Sequence, residues 1–79
     1  MQEDSNAVPI VAETTGTLWK IVAQPNVELF GDDTILIIES MKMEIPIDAP
    51  EPGYVIEYFV NEGDPVEEGQ IIGRFSPKT

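Results

Sequence analysis

The chain of 79 residues contains no cysteine and no histidine. Without cysteine there is no disulfide, no thiolate nucleophile and no sulfur ligand for a metal ion. Without histidine there is no imidazole zinc ligand and no Ser-His or Cys-His nucleophile pair. We therefore expect a protein that does not catalyse a reaction by itself. The absence of cysteine is compatible with a reducing cytoplasm, which is the expected location.

Basic side chains are also scarce. The chain has four lysine and arginine residues and 15 acidic residues, which gives a formal charge of −11. The electrostatic field of such an acidic chain repels nucleic acids and anionic membranes, so neither is expected as a partner. It favours solubility and contact with basic protein surfaces. No apolar run approaches the roughly 20 residues that span a bilayer, and residues 1–6 lack the basic and apolar segments of a signal peptide.

Windows long enough for an amphipathic helix are missing, since seven prolines and six glycines interrupt the chain at short intervals. The apolar residues between them form short runs rich in β-branched side chains, which is typical of strands. A chain of this length forms a single domain. The sequence predicts an all-β domain over residues 8–76, with a flexible N-terminal segment at 1–7 and a C-terminal tail at 77–79.

An internal repeat at an offset of 37 residues is the strongest large-scale pattern. Residues 8–12 align with residues 45–49, with proline, isoleucine and alanine at matching places, and residues 16–23 align with residues 53–60. Two similar halves of short strands predict two small packed sheets or a flattened barrel.

The inward positions of these strands form the expected core. Its predicted members are Ile10, Leu18, Ile21, Val27 or Leu29, Ile35, Ile37, Ile47, Val55, Tyr58 or Phe59, Val66, Ile72 and Phe75. Trp19 is expected either in this core or half-buried at the surface, because aromatic residues in strands usually pack against their neighbours.

One lysine lies between two apolar runs, in the motif Glu39-Ser40-Met41-Lys42-Met43-Glu44. The run before it is Thr34-Ile35-Leu36-Ile37-Ile38, and the segment after it is Ile45-Pro46-Ile47. A tight reversal between two such runs predicts a hairpin whose tip presents Lys42 to solvent. Both methionines are expected to be exposed beside it. Because exposed methionine gives no folding benefit, it suggests a partner that recognises it.

The offset also relates Lys42 to Ser5 and to Thr79. The two ends of the chain are therefore expected at the position equivalent to the hairpin, on the opposite end of a pseudo-two-fold molecule.

The six-residue motif around Lys42 resembles the attachment motif of biotinyl domains, the biotin carboxyl carrier proteins. The wider pattern is similar too, since Val60-x-x-Gly63-Asp64-x-Val66-x-x-Gly69 matches the spacing found in that family. The resemblance extends from about Val8 to Phe75. Related lipoyl domains usually carry Asp-Lys-Ala at the attachment site, which this chain lacks.

This resemblance implies a flattened barrel-sandwich hybrid of two four-stranded antiparallel sheets with quasi-two-fold symmetry. The compact form is expected, because the step from Leu18 to Asn26 is too short for the thumb insertion of some acetyl-CoA carboxylase carriers. The chain departs from the family at Asn26-Val27, where Gly-Asp is common, and at Asp32, where glycine is expected. These departures leave the local turn geometry open.

The resemblance further implies that a biotin protein ligase attaches biotin to the ε-amine of Lys42, with Met41 and Met43 assisting recognition. Ser40 is a further candidate at the cofactor site. Glu39 and Glu44 either orient the ligase or are simply solvated. The domain, expected to be monomeric in isolation, would then carry carboxylate from a biotin carboxylase to a carboxyltransferase that acts on an acyl-CoA or keto-acid substrate, in a carboxylase or decarboxylase.

Three other functions stay open from the sequence. The same lysine could carry lipoate in an oxo-acid dehydrogenase-like system, although the Met-Lys-Met context argues against it. An unmodified barrel could act as a structural adaptor. A small enzyme comes last, because the adjacent carboxylates Asp32-Asp33 and Glu67-Glu68 have no partnering base.

Overall fold

The computed structural model describes residues 7–78, which form strands and turns. The strands are β1 (Val8–Val11), β2 (Gly16–Ile21), β3 (Thr34–Ser40), β4 (Met43–Asp48), β5 (Gly53–Tyr58), β6 (Pro65–Val66) and β7 (Ile71–Pro77). Within this range no helix has the length and hydropathy needed to cross a membrane. Ser5, Thr79 and most of the predicted N-terminal segment 1–7 lie outside the described residues.

The strands form two antiparallel sheets, a four-stranded sheet with the order β4-β3-β2-β6 and a three-stranded sheet with the order β1-β7-β5. The predicted all-β fold of two antiparallel sheets is thereby confirmed, and the sheets do not close. The count of four strands in each sheet needs one correction. In the three-stranded sheet the fourth strand is reduced to a single bridge between Leu29 and Gly53. The equivalent strand of the other half, β6, pairs through both Pro65 and Val66, whereas here only Leu29, the equivalent of Val66, pairs and the residue before it does not.

The internal repeat is visible in the strand bounds and in the pairing. An offset of 37 residues brings β2 onto β5 and β3 onto β7, so that the first and last residues of the strands coincide. Even the irregularities repeat, because β2 carries an extra residue at Trp19 and β5 carries one at Ile56. A bulge of this kind places two residues of one strand opposite one residue of its neighbour. The two halves therefore share one backbone plan down to the positions of their bulges.

The residues that depart from the family pattern keep the turn geometry. Asn26 and Asp32 have φ angles of 70° and 74°, and the glycines 37 residues later, Gly63 and Gly69, have φ angles of 95° and 88°. Asparagine and aspartate tolerate left-handed backbone better than other residues that carry a side chain. The substitutions are therefore compatible with the same turns.

The core lies between the two sheets. Its buried apolar members are Ile10, Ala12, Leu18, Ala23, Leu29, Ile35, Leu36, Ile38, Ile47, Ala49, Val55, Val66, Ile72 and Phe75, with Ile21, Tyr58 and Val60 packed against them. Most of the predicted core is confirmed. Leu29 rather than Val27 is buried, and Tyr58 rather than Phe59 packs on the core.

The prediction for β3 was wrong at Ile37, which is only partly buried, whereas Leu36 and Ile38 are fully buried. The register of β3 against β4 shifts between Thr34 and Leu36. This shift turns both Ile35 and Leu36 toward the core and reverses the alternation after them. Ile37 consequently points to the outer face of the four-stranded sheet.

Tyr58, the last residue of β5, links this strand to the segment that follows β2. Its hydroxyl donates a hydrogen bond of 2.6 Å to the carbonyl oxygen of Ala23. Burial raises the pKa of Tyr58 to about 12, because desolvation disfavours the phenolate.

Candidate functional site

Lys42 lies in the turn that joins β3 to β4. Ser40 and Met43 are the last paired residues, so the loop consists of Met41 and Lys42 alone. Both have positive φ angles, 52° and 67°. Positive φ at both central residues is the signature of a type I′ turn, whose twist matches that of the flanking strands. The predicted tight hairpin is confirmed.

The side chains at this tip face solvent. Met41 is 92% exposed and Met43 is 64% exposed, and Lys42 is exposed as well. Within residues 7–78 no hydrogen bond or ion pair involves the Lys42 ammonium. The amine is therefore available to a modifying enzyme, on a four-carbon stem that adds reach.

Two residues with side chains in a left-handed turn carry a conformational cost of order 1 kcal/mol each. Asparagine and glycine are the usual occupants of such a turn. Met41 and Lys42 adopt this backbone although neither residue type prefers it. The surrounding pairing holds them there, and a strained backbone of this kind is typical of functional sites.

The hairpin has a rigid base. β3 is an inner strand of the four-stranded sheet, paired with β4 on one side and with β2 on the other. Leu36 and Ile38 of this strand are fully buried. Pro46 lies in β4, which is an edge strand, where a missing N–H is tolerated. The turn therefore stands on a strand that the core fixes in place.

Sequence reasoning missed one residue that supports the hairpin, Gly16. A Cβ atom built at Gly16 would overlap with the carbonyl oxygen of Glu39 in β3. A Cβ atom at Gly53 would overlap in the same way with the carbonyl oxygen of Ser76. The glycines occupy equivalent places in the repeat, and that match was the available signal. Gly16 lets β2 approach β3 directly below the turn.

The carboxylates that flank the lysine do not pair with it. Glu39 and Glu44 are register partners across the hairpin and both are exposed. Ser40, which is partly buried, pairs with Met43 one step nearer the turn. The six predicted site residues therefore form one contiguous hairpin end, as the sequence indicated.

The other adjacent carboxylates lie in turns of their own. The Asp33 carboxylate caps the Phe30 amide, and the Glu68 amide donates a hydrogen bond of 2.9 Å to the Thr15 hydroxyl. Hydrogen bonds of this kind stabilise turns.

The comparisons with known proteins agree with this geometry. Residues 6–75 match the family described as "Biotin-requiring enzyme". The match covers most of the chain, and the protein belongs to this family of biotin/lipoyl attachment domains.

Two short relatives match nearly end to end. The chain is 39% identical over 67 residues to the Biotin/lipoyl attachment protein of Bacillus subtilis, which covers 85% of this chain and 92% of the relative. It is 31% identical over 70 residues to the Biotinylated protein TB7.3 homolog of Mycobacterium leprae, which covers 89% of this chain and 99% of the relative.

The fold also matches part of a much larger solved protein. The urea carboxylase of Kluyveromyces lactis superimposes with a TM-score of 0.81 and 33% identity, over 87% of this chain. The match spans only 6% of that carboxylase. The family domain therefore occurs both in short chains and within a large carboxylase.

Proposed function

We propose that this protein is a biotin carrier in which Lys42 accepts biotin as an amide on its Nζ atom. The observation that carries the proposal is the two-residue turn that holds an unpaired, exposed lysine between two exposed methionines. A ligase that forms this amide needs an accessible amine with little bulk around it. The hairpin supplies both.

The residues at the tip fit this prosthetic group. The lysine contributes the nucleophilic nitrogen. Once its ammonium is deprotonated, the amine attacks the carboxyl carbon of biotin that ATP has activated as biotinyl-AMP, AMP leaves as the C–O bond breaks, and the nitrogen loses a second proton to give the amide. Met41 and Met43 offer polarizable apolar surface beside the amine, which suits recognition by a partner. When bound, biotin carries a carboxylate from a biotin carboxylase to a carboxyltransferase.

The carrier itself contributes position rather than catalysis. The chain lacks histidine and cysteine, and the partner enzymes supply the reacting groups. Tethering makes the delivery local and raises the effective concentration at the second active site. We further propose that the protein works in the cytoplasm and serves a carboxylase or decarboxylase that acts on an acyl-CoA or a keto acid. The carboxylase and biotinylated relatives support the biotin system.

Lipoate is the second candidate for the same amine. The name of the Bacillus subtilis relative covers both prosthetic groups. The Met-Lys-Met sequence, in place of the Asp-Lys-Ala of lipoyl domains, favours biotin.

Intact-mass analysis tests the assignment. The purified chain and its Lys42→Arg variant are each incubated with a biotin protein ligase, biotin and ATP, and in parallel with a lipoate ligase, lipoate and ATP. We expect one biotinyl group on the wild-type chain and none on the variant. Lys20→Arg is the matched control, because it removes an exposed strand lysine and should leave biotin addition unchanged. Addition of lipoate alone would favour the second candidate, and no adduct would favour an unmodified adaptor.

A further inference from the structure

The outer faces of the two sheets differ, although the repeat relates them residue by residue. In the three-stranded sheet, Glu57 and Arg74 are register partners and form an ion pair of 2.9 Å. The equivalent pair in the four-stranded sheet is Lys20 opposite Ile37. The charged pair of one face is therefore replaced by an isoleucine beside a lysine on the other.

The four-stranded sheet adds a tryptophan at the same level. Trp19 is the extra residue of the β2 bulge, which places Trp19 and Lys20 together opposite Ile37. Trp19 is 46% exposed, whereas the equivalent Ile56 is mostly covered. On the other side of Ile37 lies exposed Pro46 of β4. Trp19, Ile37 and Pro46 form an apolar group across three strands, which we call the outer patch.

The outer patch lies beside the candidate site. Ile37 is three residues before the end of β3, so the patch begins about 10 Å below the turn. The row between the patch and the turn contains Glu39 opposite Glu44, with Thr17 as the neighbour of Glu39. An apolar centre is thus bordered by carboxylates on the side that faces Lys42.

We propose that the outer patch is the docking surface for the protein ligase that modifies Lys42, through a ligase face with an apolar depression and a basic rim. The inference rests on the proposed function. The ligase must bring the bare amine into its own active site, so it has to contact the strands next to the turn. Enzymes that act later bind the prosthetic group at the end of a longer arm, so they do not need to contact the strands next to the turn.

Charge argues for a basic partner rather than a second copy of this chain. Two copies, each with a formal charge of −11, repel each other. A stable dimer would need roughly 800 Å² from each partner, which three side chains do not supply, whereas a ligase binds its substrate protein only transiently. A basic ligase face gains from Glu39 and Glu44 in encounter rate and orientation. Tryptophan is among the residues that contribute most to binding when an interface covers them.

Initial rates of biotin incorporation test the proposal, with a bacterial biotin protein ligase, ATP, biotin and a range of concentrations of the full chain. Trp19→Ala should raise KM for the chain about tenfold and leave kcat unchanged, because docking is lost while the amine is intact. Ile56→Ala is the matched control at the equivalent bulge, and its KM should equal that of the wild type.

A second variant keeps the proposal testable if Trp19→Ala fails to fold. Lys20→Glu combined with Ile37→Arg gives the four-stranded sheet the ion pair that the other sheet already contains, and it should also raise KM. A KM within twofold of the wild type in both variants would overturn the docking proposal alone. A concentration-dependent dimer that Trp19→Ala abolishes, seen by sedimentation, would assign the patch to a second copy instead. A wild-type chain that accepts no biotin would overturn the proposed function and this inference with it.

Discussion

Glu39 and Glu44 face each other across the hairpin that carries Lys42, as register partners on β3 and β4. Like charges directly opposite in an antiparallel pair are destabilising. No ion pair within the described residues relieves them, because Lys42 sits in the turn without a partner. The hairpin therefore keeps an arrangement that costs stability, which is consistent with a surface kept for recognition.

Glu44→Gln should raise the free energy of unfolding by about 0.3 kcal/mol at low salt, because it removes this repulsion. Urea unfolding at 20 mM and 1 M salt measures the effect, which should vanish at high salt. Glu51→Gln is the control for net charge, since Glu51 lies in a turn outside the strands. An equal gain in both variants would show that the pairing across the hairpin is irrelevant.

Met41→Ala and Met43→Ala should each change the free energy of unfolding by less than about 0.5 kcal/mol, since exposed side chains contribute little to folding. Both variants should slow biotin incorporation. Thermal unfolding and initial rates measure the two effects. A large fall in Tm would instead show that the methionines are buried in solution.

Met41→Gly should stabilise the fold by up to about 1 kcal/mol, because glycine adopts a positive φ angle without strain. Met43→Gly is the matched control, as Met43 lies in β4 outside the turn and glycine weakens a strand. The two changes should therefore shift Tm in opposite directions. A fall in Tm for both would argue against a strained turn.

Gly16→Ala and Gly53→Ala should each cost about 1–3 kcal/mol, because the new methyl group overlaps with a backbone carbonyl in either case. Only Gly16 contacts the strand that holds the turn. At a temperature where both variants are folded, we expect Gly16→Ala alone to slow biotin incorporation. Equal rates in the two variants would show that the base of the hairpin tolerates displacement.

Tyr58→Phe should cost about 1 kcal/mol at neutral pH, through loss of the hydrogen bond to Ala23. The pKa of Tyr58 is raised from 10.0 in the unfolded chain to about 12 in the folded protein. The wild type therefore has this contribution below pH 10 and loses it as the pH rises toward 12. The difference in unfolding free energy between wild type and variant, followed by urea unfolding over that range, should shrink. A constant difference would contradict the raised pKa.

The prediction of the exposed hairpin was confirmed because its signals are local. Methionine and lysine between two β-branched runs indicate a hairpin whatever lies elsewhere in the fold, and the repeat indicated two matching sheets. The prediction of the core succeeded where plain alternation holds and was wrong at Ile37. An extra residue in a strand changes which side chains face inward, and its position depends on the partner strand.

The sequence by itself determined the two-sheet β architecture, the repeat and the exposed lysine, because apolar periodicity and turn residues act over a few positions of the chain. Only the tertiary structure decided which strands carry bulges, why Gly16 must lack a side chain, and that Trp19 lies outward beside Ile37. It also reduced one strand to the bridge at Leu29. These features depend on pairing between segments far apart in the chain, where register and close approach are set by the packed core.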